Sequence, residues 1–255
     1  MESLVNSEFP MADEELENKA PRLKETPETG KPLALEPVLR RDVPNCKKAW
    51  VTGDPFGMAH RMNYDQSKTR HRAYGTCGLV SISNSLTRLG YDIPSDDIVY
   101  KAITTKRCQY RPLGDPNNNG GTNLESRKAL LHDMGFKSEI GRPQGKGGDL
   151  EDIADAIDRG CGVVLSLNAG ALWNTDIGVP ALDGRPRSNH CVAVTGVARD
   201  AATGEVVGIY IADSGRGRSG DACRYMDREK FNEVYMDVVG SGVNIIHPNA
   251  KEVRI

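Results

Sequence analysis

The sequence predicts an α+β protein, with helices in its first half and a mainly antiparallel sheet in its second. Apolar residues recur at helical spacing through residues 79–89, 124–134 and 149–157, the pattern of helices with one buried face. Farther along, β-branched runs at residues 161–168, 189–197, 206–213 and 243–247 are set off by polar or glycine-containing connections, as strands are. Helices gathered first and strands gathered later give two packed parts, with a site expected between them.

Residues 1–45 stand apart. They hold 6 of the 14 prolines and 10 acids against 6 bases, so they bury too little apolar surface to offset the entropy of ordering. A disordered or extended N-terminal segment is expected there: a plain tail, a secretion signal, or a propeptide whose Leu33-Ala34-Leu35 and Pro37-Val38-Leu39 could dock. One compact domain is expected over residues 46–255. Within it, Leu79, Ile82, Leu86 and Leu89 form the inner face of a helix that Gly90 ends. Ser95 is expected to cap a short helix with Asp96 and Asp97 in its first turn. Residues 104–122 make a long loop, a length that marks either function or a surface excursion. Thr122-Asn123-Leu124-Glu125 has the form of a capping box for a helix that Gly135 closes, and residues 136–140 could be a short strand. Asp149 opens the next helix, with Ile153, Ala154 and Ile157 inward and Gly160 as its stop. Residues 227–236 are expected to be a late helix, and Pro248 stops the last strand.

Cys77 is the most informative residue. It sits where the polar run Tyr74-Gly75-Thr76 enters the first helix. A thiol in a first turn feels the positive end of the helix dipole, which favours the nucleophilic thiolate. Gly78 removes bulk beside the sulfur. A small buried hydrophobe is the ordinary fate of a free cysteine, and the second half of the chain decides between the two. His190 starts a valine-rich strand and Asp213 ends the next, with a connection centred on Ala201-Ala202. In an antiparallel hairpin the two would face each other. A carboxylate holding an imidazole beside a helix-start thiol is an activated-nucleophile arrangement.

These residues, Cys77-Gly78 opening a helix, Asn189-His190 opening a strand and Asp213 closing another, resemble the papain-like cysteine peptidase superfamily. Within it they are most similar to the bacterial branch that includes the leader peptidases of bacteriocin exporters. The resemblance spans residues 66–247. It implies a papain-like fold, in which a helical subdomain carries the nucleophile and packs on an antiparallel sheet carrying histidine and aspartate. It implies Cys77 as nucleophile, His190 as general base and then acid, and Asp213 as orienting carboxylate, cutting a peptide bond through an acyl-thioester. The superfamily has a glutamine about six residues before the nucleophile that donates to the oxyanion. Here His71 holds that position and Gln66 lies further upstream. Gln66 is the first candidate for the role and His71 the second, alongside the Cys77 backbone N–H. Gly78, Asn189 and Trp173 complete the candidate substrate-binding set, although Trp173 would equally serve the core. The same triad would serve a glutamine deamidase, a transglutaminase or an acyltransferase, and papain-like bacterial toxins and effectors work in both ways. A non-catalytic papain-like module that binds a protein is the third alternative. The displaced oxyanion glutamine favours it, and the intact Cys, His and Asp oppose it.

Composition limits the partners. Net charge is −2 and aromatic residues make up 5%, so neither a basic field nor stacking platforms point to nucleic acid. No apolar run reaches the roughly 18 residues of a bilayer span, and the N-terminus lacks the basic and hydrophobic regions of a Sec signal. A cytoplasmic protein, or one secreted by a Sec-independent route, is expected. The six scattered cysteines contain no Cys-x-x-Cys pair, which fits reduced thiols and no metal site. Gly145-Lys146-Gly147-Gly148 lacks the spacing of a phosphate loop. No cofactor is expected. The expected partner is a protein or peptide substrate, joined in a toxin by a cognate inhibitor or immunity protein.

Overall fold

The computed structural model describes residues 36–178, 180, 183–250 and 253–255. Among these, eight strands form one sheet: β1 (Val38–Arg40), β2 (Ala49–Thr52), β3 (Ser138–Gly141), β4 (Gly162–Leu167), β5 (His190–Asp200), β6 (Val206–Ala212), β7 (Arg224–Asp227) and β8 (Gly242–Ile246). The strand path is β1-β2-β5-β4-β8-β3, with β6 on β5 and β7 on β6. Every strand pairing is antiparallel.

After the single turn α1 (Pro55–Met58), helix α2 (Cys77–Arg88) is the centre of the first half. Leu79, Ile82, Leu86 and the following Leu89 pack against Val164, Cys191 and Ile246 of the sheet, and 1% or less of each leucine and isoleucine is exposed. Burying each such side chain is worth about 1.5–3 kcal/mol, which fixes the start of the helix against the sheet. Helices α3 (Ser95–Thr104) and α4 (Leu124–Asp133) complete this layer through Ile98, Val99, Leu130 and Leu131. Helix α5 (Leu150–Asp158) lies on the other face, where Ile153 and Ile157 meet Val163, Leu165 and Val192. Strand β4 shows why both faces are covered. Successive side chains alternate in direction, so Val163, Leu165 and Leu167 face α5 while Val164 faces α2. The protein is thus α+β, but its sheet is sandwiched rather than covered on one side. A short α6 (Ala169–Trp173) follows β4, and α7 (Arg228–Phe231) follows β7.

Several local expectations shift. The domain begins before residue 46, because Val38 pairs with Val51 and Arg40 with Ala49, and Leu39 is buried. Of the proposed N-terminal signal or propeptide over residues 1–45, residues 1–35 lie outside the described residues. Pro94, not Ser95, precedes α3, and its carbonyl accepts from the Asp97 and Ile98 N–H groups. The box at α4 sits one residue on: Asn123 Oδ1 accepts from the Ser126 N–H at 2.8 Å and Ser126 Oγ from the Asn123 N–H at 3.0 Å. An amide at the N-cap with serine three residues later does the work expected of threonine and glutamate. The late helix keeps its expected bounds but not a uniform geometry, and it starts directly from β7, which pairs with β6. Asp227 then caps α7, which runs on as a wider π turn over Asn232–Met236.

The loop after α3 is a brace. Asn119 is 1% exposed, accepts from the Arg111 N–H and donates to the Arg72 and Arg111 carbonyls. The Asn119 carbonyl in turn accepts from the Gly75 N–H at 2.8 Å, two residues before Cys77. A Cβ at Gly75 would lie 2.9 Å from that carbonyl, so only glycine permits the approach.

Candidate active site

Three elements converge on one cleft of about 590 Å³. Cys77 is the first residue of α2, half-buried, behind Thr76, whose carbonyl accepts from the Leu79 and Val80 N–H groups. The Cys77 N–H belongs to the first turn, for which the helix has no acceptor. His190 opens β5 and lines the same cleft. Asp213 follows β6, is fully buried, and sets its Oδ1 2.7 Å from His190 Nε2.

The hairpin achieves this in a register two residues off the expected one. Ala193 pairs with Ala212, which carries Val192, not His190, opposite Asp213. The turn lies one residue later than Ala201-Ala202, closed by the Asp200 N–H to the Glu205 carbonyl. Two irregularities, at Val194/Gly196 and Ala198/Arg199, interrupt the ladder between. A shift of two keeps a side chain on its face, and a diagonal neighbour stays within reach of a long side chain.

Asp213 is held on every side. Its Oδ2 accepts from Trp173 Nε1 at 2.7 Å, its Oδ1 also accepts from the Gly215 N–H at 2.9 Å, and its own N–H donates to the Asp221 carbonyl. Burial alone would raise its pKa, but the hydrogen bonds from His190, Trp173 and Gly215 outweigh it and the carboxyl lies below the ordinary value. A depressed acid stabilises the fold fully above its unfolded value of about 3.9, and that contribution is lost as pH falls through the lower folded value. We expect the stability gap between the wild type and Asp213→Asn to be constant near neutrality and to narrow below about pH 4. Urea unfolding midpoints measured over that range check this.

Trp173 therefore serves both expectations. It packs beside the core, stands 5.0 Å from the His190 ring centre, and lines the cleft. Gln66 also lines the cleft. Its Nε2 donates to the Tyr74 carbonyl at 3.0 Å, its Oε1 accepts from Ser214 Oγ at 3.2 Å, and its carbonyl accepts from Thr76 Oγ1. One amide N–H remains for a ligand. His71, the second oxyanion candidate, is not among the lining residues. It turns away onto Tyr100, ring centres 5.6 Å apart, because the chain reverses at Arg72 with φ of 50°. Asn189 lines the cleft, with its Oδ1 tied to the Ala169 N–H at 2.8 Å. Gly78 is packed from behind: a Cβ there would lie 3.3 Å from Arg127 Nη1 and would strike Thr122 Oγ1. Arg216 is paired with Asp221 at 2.6 Å. Among the described residues no group of three His, Cys, Asp or Glu could hold a metal, and no helix is long and apolar enough to cross a membrane.

Among the lining residues that were not anticipated are Arg127, Ser166, Cys191 and Glu125. The Cys77 thiol hydrogen-bonds to Cys191, and with burial this pushes its pKa up, opposite to the effect expected of the helix dipole. Cys191 is pushed down, by that hydrogen bond first and then, against burial, by Arg127 and Ser166. A signal for Arg127 was present. It stands three residues after Leu124 and four before Leu131, inside the buried stripe of α4.

A model of the Peptidase_C39 like family matches residues 61–243. Uncharacterized proteins of Mycobacterium bovis and Mycobacterium tuberculosis are 25% identical over 160 residues, covering 57% of this chain and 67% of theirs. Two solved structures are distant. A double glycine motif protease from an AMS/PCAT transporter, in complex with the leader peptide, is 12% identical, with 68% of this chain and 84% of that one covered and a TM-score of 0.38. Digestive procathepsin L 3 of the Tenebrio molitor larval midgut is 18% identical, with 72% and 67% covered and a TM-score of 0.42. The family match runs from before Gln66 to beyond Asp213, and on it the chain belongs to the Peptidase_C39 like family.

Proposed function

We propose that this protein is a cysteine peptidase that hydrolyses a peptide bond through Cys77, His190 and Asp213. The observation that carries this is the buried His190–Asp213 pair at 2.7 Å, whose histidine lines one cleft with a helix-start thiol. With Nε2 committed to Asp213, the ring offers Nδ1 to the reaction. His190 Nδ1 takes the thiol proton as Cys77 Sγ attacks the carbonyl carbon, and the oxyanion falls to the Cys77 N–H and to the free N–H of Gln66. Protonated His190 gives its proton to the leaving amine, which departs and leaves an acyl-thioester on Cys77. Neutral His190 then takes a proton from water, the hydroxide attacks the acyl carbon, and Cys77 leaves as thiolate. Asp213 holds the ring in the orientation both steps need, and Trp173 covers it.

Incubation with a peptide library, followed by mass spectrometry of products and of trapped acyl-enzyme, tests the proposal. Cleaved backbones and a peptidyl adduct on Cys77 are expected. Conversion of glutamine side chains to glutamate, or their coupling to amines, with backbones intact would move the chain to the deamidase or transglutaminase class. Gln66→Ala is expected to lower kcat by about 10²-fold with little change in KM, as for loss of one oxyanion donor. An unchanged kcat would leave Gln66 a brace between the Tyr74 and Ser214 loops only.

A further inference from the structure

The charge of Arg127 has no role in the mechanism above. Only 1% of this residue is exposed, and its guanidinium is held by four side chains. Nε donates to Asn244 Oδ1 at 2.8 Å, Nη1 to Thr122 Oγ1 and to Cys191 Sγ at 3.2 Å each, and Nη2 to Ser166 Oγ at 2.5 Å. None of these partners is a carboxylate. Arginine carries its charge into the interior, and an uncompensated ion there is strongly destabilising. The contacting groups able to become anionic are thiols. Cys191 touches the guanidinium, and Cys77 lines the same cleft as Cys191. Gly78 makes room for this arrangement, since any side chain there would meet Thr122 and Arg127.

We propose that Arg127 is the counter-ion of an anionic Cys77–Cys191 thiol pair, a positioning residue that keeps one negative charge on sulfur at the start of α2. The nucleophile then gains its thiolate without giving a proton to His190. This rests on the cysteine peptidase assignment above and deepens it. The two sulfurs share one proton. At rest it sits on Cys77 with Cys191 as thiolate against the guanidinium, and its transfer between the sulfurs leaves Cys77 as thiolate and Cys191 as thiol. With His190 already protonated against Asp213, Cys77 bonds to the acyl carbon, the amine leaves with that proton of His190, and attack by water returns the charge to sulfur and the proton to His190. The charged and titratable groups facing the pair are Arg127 from α4 and His190 from β5, with Asp213 behind the imidazole. Glu125 and Arg142 line the same cleft 3.8 Å from each other.

The test counts thiolates and maps alkylation. The other four thiols, Cys46, Cys108, Cys161 and Cys223, are all raised by burial, so ultraviolet thiolate absorbance at about pH 6, well under the ordinary thiol value of about 8.5, reports the pair. About one thiolate per chain is expected in the wild type, together with iodoacetamide labelling of Cys77. Arg127→Met is expected to lose the absorbance and to slow Cys77 labelling roughly tenfold or more, since each unit of pKa is tenfold in thiolate. Arg127→Lys, which restores the charge, is expected to recover both. His190→Ala is expected to keep both, which no structural role for Arg127 would predict. Absence of the thiolate in the wild type, its persistence in a folded Arg127→Met, or its loss in His190→Ala would each overturn the proposal. Should Arg127→Met fail to fold, the His190→Ala arm decides alone. Peptide turnover is read separately: a low-pH thiolate without turnover spares this proposal and sinks the peptidase, and turnover without the thiolate does the reverse.

Discussion

Replacing Cys77 by alanine is expected to reduce peptide turnover to background, a loss of about 10⁴-fold or more, as when other covalent nucleophiles are removed. The fold should barely register the change. Cys77 is half-buried, the start of α2 is set by the Thr76 carbonyl, and the inner face of the helix is carried by Leu79, Ile82 and Leu86. Alanine is also the best helix former. Substrate binding should persist, so the variant is expected to hold an intact peptide at a Kd close to the wild-type KM. Turnover assays beside thermal melts check this. Activity within tenfold of the wild type would mean a different nucleophile, and the adjacent thiol of Cys191 would be the first to examine.

Asp213→Ala is the other large effect, and it should be double. Turnover is expected to fall about 10²–10⁴-fold, because His190 loses the group that holds its orientation. Stability is expected to fall by about 3 kcal/mol, the range for breaking a buried ion pair from one side. The loss reaches further than one bond. The change leaves the His190 and Trp173 ring N–H groups unpartnered in a region where His190 is 4% exposed. The Gly215 N–H is orphaned with them. Kinetics and denaturant unfolding on one preparation separate the two parts. A kcat that falls while the unfolding midpoint holds would show that Trp173 finds another acceptor. A midpoint that falls while kcat holds would remove Asp213 from the mechanism.

The positions of Cys77, His190 and Asp213 were legible because each stands at a local boundary that sequence marks clearly: a helix start, a strand start, a strand end. Their facing was legible only to within two residues. Turn position and ladder irregularities depend on packing between strands, and here the close approach of Gly196 to Thr52 and Pro55 lies beside one irregularity. Parity rescued the prediction, since a slip of two preserves the face. Arg127, Ser166 and Cys191 were not legible as a group. They come from α4, β4 and β5, which only the fold brings together, and an arginine on a helix is ordinarily solvated. The placement of α5 on the far face was hidden for a similar reason. Helical periodicity reports that one face is buried, not which side of a sheet it covers. At the N-terminus composition misled: three residues of strand suffice to extend a sheet, too few to alter the average of a 45-residue segment.

Strand β5 has eleven residues and is paired along both edges, with β4 and then β2 on one side and β6 on the other. Its central amides should exchange with solvent deuterium only when the whole domain opens, whereas the tip at Leu113, 99% exposed, should exchange at once. His190 is the first residue of that strand, paired with Leu167 of β4. The imidazole is therefore tied to the global opening equilibrium rather than to a local one. Core substitutions that weaken the domain should lower the fraction of competent molecules while leaving the turnover of each folded molecule unchanged, so activity lost on warming should follow the melting curve and return on cooling.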